Sequence, residues 1–125
     1  MTPGTHCYFD YYQVGEEGQK KEPITGSKRH TTVKKVYSYE PTPSALTLEE
    51  KKYILGAQGN VWTEYMPTWE LVEYNVVPRM TALSEVVWSS KENRDWKDFH
   101  SRLQHIVKRY DALGYTYAKH SIHKE

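Results

Sequence analysis

Cysteine is nearly absent. Cys7 is the single one in 125 residues, which excludes an internal disulfide and says little about compartment. No apolar run approaches the roughly 20 residues of a membrane span. Neither sign of charge is in excess, and a formal net charge of +1 gives no electrostatic reason to expect nucleic acid or an anionic membrane as a partner. No signal peptide is read, because Met1 is followed at once by Thr2-Pro3-Gly4, without a basic and then an apolar stretch. Internal repeats and low-complexity linkers are lacking, and the length suits one small domain. Hydrophobic residues make up 38%, and even with the 7 glycines the chain falls slightly below the roughly 45–50% of ordinary globular domains, so the expected core is thin. No metal or cofactor is expected. His120 and His123 stand three apart without a third ligand, and His6 and Cys7 are neighbours that face opposite ways on a strand, so they cannot pair as base and nucleophile.

What the chain does have is aromatic side chains, with 11 Tyr and 4 Trp, which suit either a carbohydrate site or an aromatic core. The central stretch is Tyr53 to Tyr65, YILGAQGNVWTEY. Its apolar start without alternation predicts a strand buried on both faces, and its glycines leave room for close packing or ligand approach. If the extended backbone persists, Asn60, Trp62 and Glu64 share one face. A flat ring can stack on the C–H face of a pyranose while a neighbouring acid accepts bonds from hydroxyls. Thr5 to Tyr12, THCYFDYY, is the second strand expected, with Tyr8 and Asp10 on one face and Phe9 and Tyr11 on the other.

Between these strands, residues 14–32 read as loop, and Val33 to Tyr39 fits a short helix or a strand equally. Thr47-Leu48-Glu49-Glu50 reads as a capping box opening a short helix to Lys52. Thr68 is the expected cap of a helical region in which Val76, Met80, Leu83 and Val87 form a stripe interrupted by Pro78. Asn93 or Asp95 then caps a second helix, striped by Trp96, Phe99, Leu103, Ile106, Tyr110 and Leu113 and stopped at Gly114. Tyr115 to Ala118 is expected to pack back, and residues 119–125 form a solvated tail. Trp88 is expected to pack, and Gln58 and Asn60 to bond within a buried interior. Two strands separated by a long crossover argue for parallel pairing, with open edges through which copies could associate.

Tyr8-Phe9-Asp10-Tyr11-Tyr12-Gln13, and then Leu55-Gly56-Ala57-Gln58-Gly59-Asn60-Val61-Trp62-Thr63-Glu64, resemble the C-terminal part of the family 20 glycoside hydrolases, the β-N-acetylhexosaminidases. Val72-Glu73-Tyr74, Pro78-Arg79, Ala82 to Ser89 and the closing Trp96, Phe99, Arg102-Leu103, Tyr110-Asp111 and Gly114 carry the same resemblance. It implies an α/β fold: the C-terminal part of a (β/α)8 TIM barrel, incomplete by itself over residues 1–118, with His6 to Asp10 as the seventh strand and Tyr53 to Trp62 as the eighth. Sites in such barrels lie at the C-terminal ends of strands. The implied chemistry is substrate-assisted retaining hydrolysis of N-acetylhexosamine-containing glycans, in which the 2-acetamido oxygen attacks its own anomeric carbon. Tyr8 would donate a hydrogen bond to that oxygen, Trp62 would wall the pocket, and Asp10 and Glu64 would accept from ring hydroxyls. The family's catalytic Asp-Glu pair lies on an earlier strand, and no adjacent Asp-Glu occurs in this sequence.

Plainer roles remain beside these: Trp62 and Tyr8 as core, Asp10 as a turn cap, Glu64 as an acid ahead of a helix. Two rival functions also remain, a non-catalytic carbohydrate-binding module and a small interaction domain that associates through its strand edges.

Overall fold

The computed structural model describes residues 2–14, 22–23, 25 and 28–123. Most of the loop expected over 14–32, and the last two residues of the expected tail, lie outside the described residues. The described chain is mostly helical: α1 (Gly4–Cys7), α2 (Val33–Tyr37), α3 (Leu48–Lys51), α4 (Trp69–Val76), α5 (Arg79–Trp88), α6 (Trp96–Leu113) and α7 (His120–His123), with 3-10 turns at Thr63–Tyr65 and Lys91–Asn93.

The two expected strands are a correction. Among the described residues no strand forms, and the extended segments meet only at single parallel bridges, Tyr8 with Asn60 and Tyr12 with His30. A ladder needs a neighbour with matching register along its length. Here the first segment begins by winding on Pro3, whose carbonyl accepts from His6 N and Cys7 N, and Phe9 and Asp10 then turn between the bridges at Tyr8 and Tyr12. Burial nevertheless alternates as a strand's would, with Cys7, Phe9, Tyr11 and Gln13 inside and Tyr8, Asp10 and Tyr12 half-buried between them. The segment from Tyr53 is not buried on both faces: Tyr53 is 77% and Leu55 97% exposed.

The local signals for helices are realised. The hydroxyl of Thr32 accepts from Lys35 N and opens α2, settling the ambiguity over Val33 to Tyr39. Thr47 and Glu50 form the reciprocal capping box. Thr68 caps α4 and Asp95 caps α6. Pro78, joined to Val77 by a cis bond, separates α4 from α5. The α5 stripe is rotated from the one read in sequence: Arg79, Ala82, Leu83 and Val86 face inward, while Val87 is exposed. Trp88 is 90% exposed, not packed. Along α6, Phe99, Leu103 and Tyr110 are buried as expected, whereas Leu113 is exposed. Gly114 ends α6 at φ 73°, a left-handed turn that glycine adopts without strain, and Tyr115 N returns to Tyr110 O at 2.9 Å. The last segment is not fully solvated. Ile122 is buried in α7, and His100 Nε2 lies 2.6 Å from its carbonyl.

The core joins Phe9 and Cys7 to α2, α5 and α6 through Val36, Tyr37, Leu83 and Phe99. Tyr37 stacks on Phe99 at 4.5 Å, and its hydroxyl donates to Glu85, which Arg102 holds with two bonds of 2.7 Å. Gly59 lies under Phe9 so closely that an added Cβ would stand 2.5 Å from the ring and 3.1 Å from the Met80 methyl. Gly59→Ala is therefore expected to cost about 1–3 kcal/mol of stability by overpacking, read as a lower urea midpoint at unchanged slope; an unchanged midpoint would refute the contact.

Candidate functional site

The site is built where the segment after α1 crosses the segment before the Thr63–Tyr65 turn. Phe9 N donates to Asn60 O at 2.8 Å, and Asn60 N donates to Cys7 O at 2.7 Å, which sets Tyr8 opposite Asn60 in parallel register. Tyr8 and Asp10 then stand on the same, half-buried side, with Phe9 turned into the core between them. The Tyr8 ring lies 5.5 Å from that of Tyr11. Trp62 follows Asn60 by two residues on backbone that is still extended, and it is 54% exposed, which leaves a ring available for contact.

Glu64 does not reach the site by strand alternation, because the backbone leaves the extended form at Thr63. It is exposed in the 3-10 turn, yet its charge reaches Asp10. The Asp10 carboxyl is held above its ordinary value chiefly by burial, with Glu64 adding to the rise; its own backbone N–H and the cation of Arg79 oppose it. Asp10 Oδ1 is shut away from the surface and has no hydrogen-bond partner. Gln58 and Asn60 are not in a buried interior: Gln58 is exposed and donates to Asn60 Oδ1 at 2.8 Å.

Two residues behind this surface carry more of its structure than the sequence suggested. Arg79 is fully buried and bonds the carbonyls of Phe9 and Tyr11, on either side of Asp10. Glu22, with a side chain 2% exposed, accepts from Gln13 N at 2.9 Å and from Val14 N at 3.0 Å. A charged residue in the first turn of a helix otherwise lined by Ala82, Leu83 and Val86 was the available signal for Arg79. Glu22 had none, since it sits in a polar run.

Elsewhere, burial pushes the Cys7 thiol to about 11, which leaves it inert as a nucleophile at neutral pH. Three cavities of about 250, 370 and 380 Å³ adjoin around Glu40 and Lys91, and none is lined by Tyr8, Asp10, Trp62 or Glu64. Among the described residues no group of three or more His, Cys, Asp or Glu converges as a metal site, and no helix is long and apolar enough to cross a membrane.

Residues 1–91 match the family model for the glycosyl hydrolase family 20 catalytic domain. A beta-hexosaminidase of Porphyromonas gingivalis is 36% identical over 118 residues, covering 94% of this chain and 15% of that protein. One from Akkermansia muciniphila is 32% identical, covering 89% of this chain and 22% of that protein. Among solved structures, the exo beta-N-acetylglucosaminidase of Vibrio harveyi in complex with N-acetylglucosamine superposes with a TM-score of 0.82 at 28% identity, over 98% of this chain and 19% of that one. These structural neighbours are TIM-barrel enzymes. The chain spans less than a quarter of the length of each of these three relatives. With a family model matched over nearly three quarters of its length and relatives of that identity, the chain belongs to glycosyl hydrolase family 20.

Proposed function

We propose that residues 1–118 are the C-terminal part of a hexosaminidase catalytic barrel, with the segments at His6–Asp10 and Tyr53–Trp62 corresponding to its seventh and eighth strands. On this reading the chain contributes part of the pocket of a β-N-acetylhexosaminidase that removes terminal N-acetylhexosamine from glycosides. The observation that carries it is the parallel register at Tyr8 and Asn60, with Asp10 and Glu64 in electrostatic reach across the two segments. Tyr8 donates to the 2-acetamido oxygen as that oxygen attacks the anomeric carbon. Asp10 and Glu64 accept from ring hydroxyls, and Trp62 lies against the sugar face. Protonation of the leaving oxygen falls to a carboxyl outside this sequence, which has no adjacent Asp-Glu.

The test has two arms. The pure 125-residue chain is expected to give no turnover of a chromogenic N-acetylglucosaminide; clear turnover would refute the assignment. Residues 1–118 exchanged for the matching segment of the Porphyromonas gingivalis protein are expected to restore turnover, and Tyr8→Phe in that chimera to lower kcat by about 10²–10³-fold, the loss typical of one oxyanion donor. An undiminished kcat would remove Tyr8 from the chemistry.

Asp10 also carries a cost on this reading. Its native pKa lies above the ordinary carboxylate value, so the folded chain holds the proton more tightly than the unfolded one. That contribution to stability is present below the ordinary value and is lost as pH rises through the raised one. Asp10→Asn is thus expected to be at least as stable as the parent at pH 7 in urea unfolding, with the parent gaining on it as the pH falls through Asp10's titration. A large loss at pH 7 would show that the ionised carboxylate supports the fold.

A second reading, association between copies, is favoured by the exposure of Tyr53, Leu55 and Trp62 on a segment whose one β-bridge, among the described residues, is at Asn60. It requires a melting temperature that rises with protein concentration, and a constant one would dismiss it.

A further inference from the structure

We propose that Arg79 is a positioning residue for the Asp10 carboxylate, holding the carbonyls of the residues on either side of it and supplying a buried positive charge behind it. The proposal rests on the reading of Asp10 as a sugar-binding group and extends that reading to a residue that touches no sugar.

The geometry is specific to a guanidinium. Arg79 Nη1 donates to Tyr11 O at 2.9 Å and to Thr31 O at 3.2 Å. Nη2 donates to Phe9 O and, at 2.6 Å, to Asn75 O, which Nε also reaches at 3.0 Å. The carbonyls of residues 9 and 11 belong to the peptide groups that bracket the residue pair beginning at Asp10. One rigid, planar cation therefore holds both, and with them the stretch of backbone that carries Asp10. The Phe9 ring, 5.1 Å from the guanidinium carbon, closes the other face. A lysine offers one tetrahedral point charge and cannot span these acceptors in a plane.

The electrostatics agree with the geometry. The groups that bear on Asp10 are Arg79 from α5, which favours the carboxylate, and Glu64 from the 3-10 turn, which disfavours it. The groups that bear on Arg79 are Glu22, Asp10 and Tyr74. Asp10 is thus one of two carboxylates facing this buried cation, and the other, Glu22, is already occupied by Gln13 N and Val14 N.

The experiment is a ¹³C NMR titration of the Asp10 carboxyl in the 125-residue chain, without sugar. Arg79→Gln is expected to move the Asp10 midpoint upward and Arg79→Lys to move it less, partial rescue by the retained charge. Asn75→Ala removes a side-chain acceptor of the guanidinium while keeping its charge and its bonds to Phe9 and Tyr11, and it is expected to lower stability while leaving the Asp10 midpoint in place. Equal midpoints in the parent and folded Arg79 variants would overturn the proposal. If neither Arg79 variant folds, the parent decides: the Arg79 side-chain ¹⁵N signals are expected to shift with the midpoint of Asp10, and signals that ignore that titration would overturn it. Failure of the pocket reading is seen separately, as an undiminished kcat/KM for Asp10→Asn in the Porphyromonas gingivalis chimera while the dependence of the Asp10 midpoint on Arg79 persists in the 125-residue chain.

Discussion

A charged guanidinium with no exposure to solvent is the constraint on which the rest of this fold depends. Burying such an ion costs several kcal/mol unless its donors are met and its charge is answered. Here the carbonyls of Phe9, Tyr11, Thr31 and Asn75 meet the donors, and Glu22 and Asp10 answer the charge. Burial pulls the Arg79 pKa down to about 9, which still leaves the group charged at neutral pH. The four carbonyls come from three stretches of chain, which core packing, the bridge at Tyr12 and the Gln13 side chain also tie together. The cation does the joining that a ladder of backbone bonds would do in a continuous sheet. Removing it would leave carbonyls in the interior without donors.

The same arrangement explains how a small thin-cored chain keeps a carboxylate half-buried at its surface. Burial and Glu64 both disfavour charge on Asp10, and the cation beneath opposes them. The site is therefore held away from the state that would be most comfortable for the fold alone. Functional groups commonly stand in such positions, where environment sets protonation and orientation together.

Much of this was legible in the sequence, and the remainder was not for identifiable reasons. Caps at Thr47, Thr68 and Asp95 and the stop at Gly114 are decided by bonds within a few residues, so sequence shows them directly. The alternation of Cys7, Phe9 and Tyr11 against Tyr8, Asp10 and Tyr12 is likewise local, and it reappears as an alternation of burial. Strands are a property of pairs, and an apolar run such as Tyr53-Ile54-Leu55 is buried only if another element covers it; none of the described elements covers Leu55. Glu64 was placed by an alternation that stops at Thr63, and its nearness to Asp10 comes instead from the turn. Arg79 was read as one residue of a resembling motif and not as a buried cation, because propensity assigns arginine to the surface. Ile122 was read into a polar tail by its neighbours, although a single apolar side chain suffices to dock a short end.

The contact between Gly59 and the Phe9 ring has a consequence for how this sequence can drift. A side chain at 59 and an aromatic at 9 compete for one volume, so neither position is free while the other is unchanged. A smaller aliphatic residue at 9 would make room for a methyl at 59, and the two changes together should be tolerated where each alone is not. Relatives are then expected to vary at these two sites as a pair, although half a hundred residues of chain separate them.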